Sequence, residues 1–187
     1  IMIGEGVDVQ LLDPGIRGSV SGPIDITRDQ VAAAADTTVQ EVLAIGHEGK
    51  AIAKMTEGTT KITKQLHHDG KIQGVISVGG SMGSSLATAA MRELPIGFPK
   101  LMISTQASGF TRPFVGSSDI MMLHSIADIA GLNAVLRKVL HLGATAVAGM
   151  AKAEPPVVAQ DRPLVVMSNL GITERCSQII RQILDKN

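Results

Sequence analysis

Aromatic and cysteine residues are scarce in this chain. Its 187 residues include no Trp, no Tyr and three Phe. Proteins that hold single-stranded nucleic acid stack bases on aromatic side chains, and 17 basic residues are balanced here by 17 acidic ones. We therefore expect no nucleic-acid partner and no anionic membrane partner. The single Cys176 excludes an intrachain disulfide and a cysteine metal cluster.

Signals for secretion or membrane insertion are also missing. No basic and apolar pair resembling a signal peptide opens the chain, and no apolar run is read as long enough to span a bilayer. Hydrophobic residues make up 44% of the sequence, which is sufficient for a sizeable core. The sequence therefore predicts a cytoplasmic protein.

Short apolar runs alternate with helix-like segments along the chain. Alternation of this kind predicts a Rossmann-like α/β fold, with a parallel sheet covered by helices on both faces. Thr27 with Gln30 forms a capping-box pattern at the start of a short helix. The predicted strands are Val7–Leu12, Gly74–Val78, Lys100–Ser104, Ile120–Leu123 and Leu164–Met167, and the predicted helices are Val31–Ala35, 36–44, Lys50–His68, Ser84–Leu94 and Ile126–Ala151.

A glycine- and serine-rich loop follows the second predicted strand. It reads Gly79-Gly80-Ser81-Met82-Gly83-Ser84, and a helix-like segment comes directly after it. Glycine lets a backbone approach a ligand closely, and the first amides of a helix favour anions. The loop predicts a phosphate or carboxylate site, although it lacks the Gly-Lys-Ser/Thr ending of a Walker A loop. The alternative is a tight turn whose glycines serve packing alone.

Polar residues also follow the neighbouring predicted strand. Ser104, Thr105, Ser108 and Gly109 lie there, and ligands of open α/β sheets bind where the carboxyl ends of the strands gather. We expect these residues to hydrogen-bond ribose or phosphate, with ordinary loop capping as an equal alternative. Asp119 follows a Gly-Ser-Ser run and is a candidate ligand for Mg²⁺ on the nucleotide; the alternative is an N-terminal cap or a loop acceptor of hydrogen bonds.

Several motifs taken together resemble the UPF0261 family, also called Tm-1-like ATP-binding proteins. The resemblance covers nearly the whole chain. Its motifs are Val78-Gly79-Gly80-Ser81-Met82-Gly83-Ser84-Ser85, Leu94-Pro95-Ile96-Gly97-Phe98-Pro99-Lys100, Ile103-Ser104-Thr105-Gln106-Ala107-Ser108-Gly109, Val115-Gly116-Ser117-Ser118-Asp119, Asp128-Ile129-Ala130-Gly131-Leu132-Asn133 and Ala148-Gly149-Met150-Ala151.

This resemblance implies two consecutive Rossmann-like halves, of which the first binds ATP. The implied nucleotide site comprises Gly79, Gly80, Ser81, Gly83 and Ser84, with Ser104, Thr105, Ser108 and Gly109 beside it. Residues 1–153 would be the nucleotide-binding domain, 154–162 a linker, and 163–187 the first strand–helix unit of a second α/β domain. Family members begin with a strand and a Gly-Thr-x-Asp-Thr-Lys loop, and this chain starts after both, so we expect it to be part of a longer protein.

The reaction, if there is one, is left open by the sequence. No nucleophile, general base or metal cluster stands out, so enzymatic activity is undecided. ATP, with Mg²⁺, is the expected ligand. The alternatives are an enzyme acting on a small phosphorylated or carboxylated substrate, and a protein-interaction module like the plant antiviral relative. Self-association is expected, with the glycine-punctuated helix Ile126–Ala151 as a candidate surface; a buried core helix is the simpler interpretation of that segment.

Overall fold

The computed structural model describes residues 2–18, 22–153 and 165–186. The chain divides into two compact units, Ile1–Glu154 and Pro155–Asn187, which are described separately. The strands are β1 (Val75–Gly79), β2 (Lys100–Ser104) and β3 (Met121–His124). The helices are α1 (Arg28–Ala34), α2 (Val39–Ala44), α3 (Glu48–His68), α4 (Ser81–Arg92), α5 (Arg112–Val115), α6 (Ala134–Lys152) and α7 (Glu174–Leu184), and short 3-10 helices span Met2–Glu5 and Gly171–Thr173.

The three strands form one parallel sheet in the order β1-β2-β3. Gly79, Ser104 and His124 lie side by side in its register. All five residues of β2 are buried, as expected for a central strand covered on both faces. The α/β fold predicted from the sequence is confirmed.

The core has one layer on each face of the sheet. Met102 of β2 packs with Ala87 and Met91 of α4 on one face. Leu101 and Ile103 project to the opposite face, where they pack with α6. The alternation along β2 follows from the period of two in a strand, and it fixes which helix covers which face.

Helices α1 and α2 begin at capping boxes. The hydroxyls of Thr27 and Thr38 accept hydrogen bonds from the third amide of each helix, and the side chains of Gln30 and Glu41 return the bond to the cap amides. Each box satisfies two amides that the helix itself leaves unpaired. The predicted positions of both helices are confirmed.

Two predicted strands are wrong. Residues 7–11 have no regular secondary structure, and Leu12 forms only an isolated bridge with Ile26, because no described strand lies beside this segment to pair with it. Residues 165–170 also lack regular secondary structure. Leu164 and the predicted linker 154–162 lie outside the described residues.

Helix α6 is shorter than the sequence predicted. It begins at Ala134 rather than Ile126, because Asn133 caps it by accepting the amide of Leu136 at 2.8 Å, and Ile126 and Gly131 take positive φ values of 64° and 80°. By length and composition α6 could cross a membrane, contrary to our expectation from the sequence. In this unit Val139 and Val147 of α6 pack against the sheet.

Candidate functional site

The amino end of α4 lies directly after β1. The strand ends at Gly79, Gly80 is the N-cap, and the helix begins at Ser81. The predicted loop is therefore a one-residue connection, and the helix starts three residues earlier than expected. This geometry brings the positive end of the helix dipole to the carboxyl edge of the sheet.

The first amides of α4 are open. Gly80 supplies no side-chain cap, and the amide of Ser84 is the first to bond back, to the carbonyl of Gly80 at 2.8 Å. The backbone N–H groups of Ser81, Met82 and Gly83 form no hydrogen bond with any described residue, and all three residues are exposed. We call these three N–H groups the α4 amide site. Unpaired amides at a helix start are an anion-binding arrangement.

Gly79 and Gly80 lack a side chain for different reasons. A Cβ at Gly79 would lie 3.0 Å from Cα of Gly83, so the close approach of strand and helix needs glycine there. At Gly80 the backbone is extended (φ −78°, ψ −158°), and a Cβ would have Thr105 Oγ1, at 3.8 Å, as its nearest neighbour. Neither backbone conformation nor packing requires glycine at position 80.

The hydroxyls of Ser84 and Ser104 hold the helix against the sheet. Both residues are fully buried, and their Oγ atoms lie 2.6 Å apart. Either hydroxyl can be the donor of this bond, and Ser104 Oγ also accepts the amide of Gln106 at 3.0 Å. These two predicted ligand residues thus spend their hydroxyls inside the protein, and they position the α4 amide site rather than face solvent.

Thr105, Ser108 and Gly109 lie in the turn after β2, on the same edge. The half-buried Thr105 donates its amide to the carbonyl of Gly79 at 3.4 Å, which ties this turn to the end of β1. Ser108 and Gly109 are exposed. Together with the exposed Ser81, they leave hydroxyl and main-chain groups accessible around the helix start.

Asp119 lies at the other end of the sheet. Its carboxylate contacts the Nζ of Lys100, the first residue of β2, at 2.5 Å and accepts the amide of Gly97 at 2.7 Å. The α4 amide site follows the opposite ends of the strands, about 16 Å away for five strand residues. The structure therefore does not bring Asp119 to the other predicted site residues, and we do not retain it as a Mg²⁺ ligand.

The Asp119 carboxylate is instead the counter-ion of a buried lysine. The Lys100 side chain is 0% exposed and also donates to the carbonyl of Pro95 at 2.7 Å. Burial alone would raise the pKa of Asp119, but the hydrogen bonds from Lys100 and the Gly97 amide, with the charge of Lys100, hold it below its usual value of 3.8. Among the described residues, no group of three His, Cys, Asp or Glu side chains converges as for a metal ion.

Two residues after β3 complete this edge and were not among the candidates from the sequence. Ser125 is buried, donates its amide to the carbonyl of Ser104 at 3.1 Å and donates its hydroxyl to the carbonyl of Ala127 at 2.8 Å. Ile126 follows it with a φ of 64° and is 69% exposed, a strained conformation for a β-branched residue. The signal available in the sequence was a serine two residues after a predicted strand, near a strand end as Ser104 is.

Comparison with known proteins gives one family. Residues 1–156 match the model of the N-terminal domain of an uncharacterised protein family, UPF0261. A UPF0261 protein of Clostridium tetani is 36% identical over 183 residues, which covers 98% of this chain and 45% of that protein. A UPF0261 protein of Mesorhizobium japonicum is 38% identical over 179 residues, covering 96% of this chain and 44% of its own length.

A plant protein is similar over a shorter stretch. The ToMV susceptible protein tm-1(GCR26) of Solanum lycopersicum is 35% identical over 143 residues, covering 74% of this chain and 19% of the plant protein. The chain thus spans less than half the length of these relatives.

Proposed function

The chain belongs to the UPF0261 family, and from that premise we propose that it binds a nucleotide, with ATP as the expected ligand, whose phosphates sit on the α4 amide site. The backbone N–H groups of Ser81, Met82 and Gly83 would donate to phosphate oxygens. The helix dipole favours negative charge at the same place.

The observation that supports the proposal most strongly is that Gly80 leaves α4 without a side-chain cap although a side chain would fit there. The helix start has no side-chain cap, although Ser, Thr, Asp or Asn at an N-cap stabilises a helix more than glycine does. A Cβ at Gly80 would meet no atom closer than 3.8 Å, so the fold leaves this position clear without needing to. An anionic ligand that takes the place of a cap accounts for both features.

The width of the edge supports a nucleotide over a single small anion. The ends of β1, β2 and β3 lie side by side at Gly79, Ser104 and His124, which spans about 10 Å at the usual strand spacing. Accessible groups of Ser81, Thr105 and Ser108 lie after the first two strands of that row. A polyphosphate with its ribose can reach several of them together, whereas one phosphate cannot.

Isothermal titration calorimetry with ATP, ADP, AMP and inorganic phosphate, each with and without Mg²⁺, tests the proposal. We expect affinity to fall in that order, because each phosphate removed takes away contacts with main-chain amides, and inorganic phosphate also lacks the ribose. Equal affinity for inorganic phosphate and ATP would favour the alternative substrate class, a small phosphorylated metabolite. Absence of binding by every phosphate compound would contradict the proposal.

A further inference from the structure

The turn after β3 holds Ile126 in a backbone conformation that isoleucine rarely adopts. Its φ is 64°, and the amide of Ala127 donates to the carbonyl of Ser125 at 2.7 Å across it. A hydrogen bond between residues two apart, with a positive φ at the residue between them, marks the rare and strained form of the γ-turn. For a β-branched residue such a φ is a true outlier, so the strain calls for a physical reason.

Ser125 holds this turn against the end of the sheet. It is fully buried, and its amide donates to the carbonyl of Ser104 at 3.1 Å. Its hydroxyl donates to the carbonyl of Ala127 at 2.8 Å, so the residues on both sides of Ile126 are bonded to each other. Strained residues persist where the surrounding structure determines their conformation in this way.

The side chain of Ile126 is not part of the core. It is 69% exposed and belongs to none of the three hydrophobic clusters formed by the described residues. Glycine takes a positive φ without strain, and this chain has glycine at such positions in nearby loops, at Gly97 and Gly131. An isoleucine at position 126 therefore costs stability without packing in the fold. Strain of this kind is typical of ligand-binding positions.

Ile126 lies on the same edge of the sheet as the α4 amide site. Gly79, Ser104 and His124 are neighbours in the register of the sheet, and Ile126 comes two residues after His124. Strands lie about 4.8 Å apart, so the end of β3 is about 10 Å from the end of β1. The exposed Ser108 follows β2, the strand between them. The three strand ends thus form one row from the unpaired amides to the exposed isoleucine.

We propose that Ile126 contacts the base of the bound nucleotide. The phosphates lie on the α4 amide site, the ribose crosses the end of β2, and the base packs on Ile126 after β3. This inference rests on the proposed function and adds the direction of the nucleotide along the edge. Every base has a flat face that packs without hydrogen bonds, and ligand sites are lined mostly by apolar side chains. Ile126 offers no polar side-chain group, so it should contribute equally to the binding of ATP and GTP.

Calorimetric titration with ATP and with inorganic tripolyphosphate, both with Mg²⁺, tests the proposal on the unchanged protein and on Ile126→Gly. The variant should lose about 5–30-fold in affinity for ATP, because covering the 69% of this side chain that is exposed contributes that much. Its affinity for tripolyphosphate, which has no base, should not change. An unchanged affinity for ATP, or an equal loss for both ligands, overturns the base contact while the phosphate site stands. If neither ligand binds the unchanged protein, the proposed function itself is wrong.

The melting temperature gives a readout that a structural role would move in the other direction. Ile126→Gly should leave it unchanged or raise it, because glycine relieves the strain of the turn. A lower melting temperature would show that the fold needs the isoleucine, and it overturns the proposal.

Two further variants isolate the side chain. Ile126→Ala should lose affinity for ATP as Ile126→Gly does, which shows that the loss does not come from a more flexible backbone. The matched control is Ile96→Gly, because Ile96 is 85% exposed and precedes β2, at the opposite end of the sheet. It should bind ATP as tightly as the unchanged protein. A loss as large as that of Ile126→Gly would contradict the assignment of the base to Ile126.

Discussion

Replacing Gly80 with aspartate should strengthen the fold and weaken nucleotide binding. The carboxylate of the Gly80→Asp variant would accept hydrogen bonds from the amides of Met82 and Gly83, which are the positions that an N-cap side chain normally bonds. The same carboxylate would occupy the place that we assign to a phosphate. If this segment were only a packing turn, one substitution would not raise the stability of the fold and lower the affinity for nucleotide together.

The magnitudes follow from the geometry at the helix start. An aspartate cap gains about 0.3 kcal/mol over glycine, and a negative charge at the helix dipole adds about 0.3–1 kcal/mol. The melting temperature should therefore rise by about 1–5 °C for a chain of this size. A carboxylate about 5 Å from a phosphate charge costs about 3 kcal/mol at an effective dielectric of 20, which lowers affinity by about 100-fold.

Thermal unfolding and calorimetric titration with MgATP measure both effects on one sample. Gly80→Asn is the matched control, because its side chain has the same shape and can cap the helix without adding charge. It should stabilise the protein and lose less affinity than the aspartate variant. If Gly80→Asp binds MgATP as tightly as the unchanged protein, the phosphates do not sit on the α4 amide site.

The remaining predictions concern stability. Gly143→Ala places a Cβ 2.6 Å from Cδ1 of Ile103, which is buried beneath α6, and should lower the free energy of unfolding in urea by about 1–3 kcal/mol. Gly149→Ala meets no atom within 4 Å and should raise the free energy of unfolding by about 0.5–1 kcal/mol. Asp119→Asn should cost about 1–2 kcal/mol, less than for a fully buried pair because the carboxylate is 38% exposed. Folding lowers the pKa of Asp119 below its usual value of 3.8. The stabilisation by its carboxylate is therefore fully present above pH 3.8 and is lost as the pH falls through the lower pKa of the folded state. The Asp119→Asn variant lacks this carboxylate and should lose less stability on acidification than the unchanged protein. Ser104→Ala should cost about 1–3 kcal/mol in the same assay, because it strands a buried hydroxyl and an amide.

Specific outcomes would contradict each of these. Equal stability of the two glycine variants would mean that α6 does not approach β2 as closely as the structure shows. If Asp119→Asn lost as much stability on acidification as the unchanged protein, the carboxylate of Asp119 would not stabilise the buried ammonium of Lys100. Neutrality of Ser104→Ala would mean that the hydroxyl pair at the start of α4 adds nothing to the fold.

Local patterns in the sequence were sufficient for most of the first unit. A capping-box pattern located α1, and the alternation of apolar runs with helices located β1, β2 and β3. The local sequence was not sufficient where the secondary structure of a segment depends on a neighbouring strand in the fold. The apolar run at residues 7–12 has strand composition but lacks an adjacent strand, and composition alone does not supply one.

The candidate site was predicted in position but not in detail. Gly80 and Ser81 were expected at the edge of the sheet, and they lie there. The inward orientation of Ser84 and Ser104 depends on how α4 packs against β2, which no spacing in the sequence encodes. The pairing of Asp119 with Lys100 depends on the neighbouring amino ends of β2 and β3, and a motif-based interpretation placed this carboxylate at the wrong end of the strands.

The most direct test of the account is a titration of the ¹⁵N-labelled protein with MgATP followed by NMR. The account predicts that the largest shifts of amide resonances occur at Ser81, Met82 and Gly83, with smaller changes at Thr105 and Ser108. It predicts almost none at Asp119 and Lys100, at the opposite end of the sheet. Saturable binding that leaves the three amides of α4 unshifted would contradict the central claim.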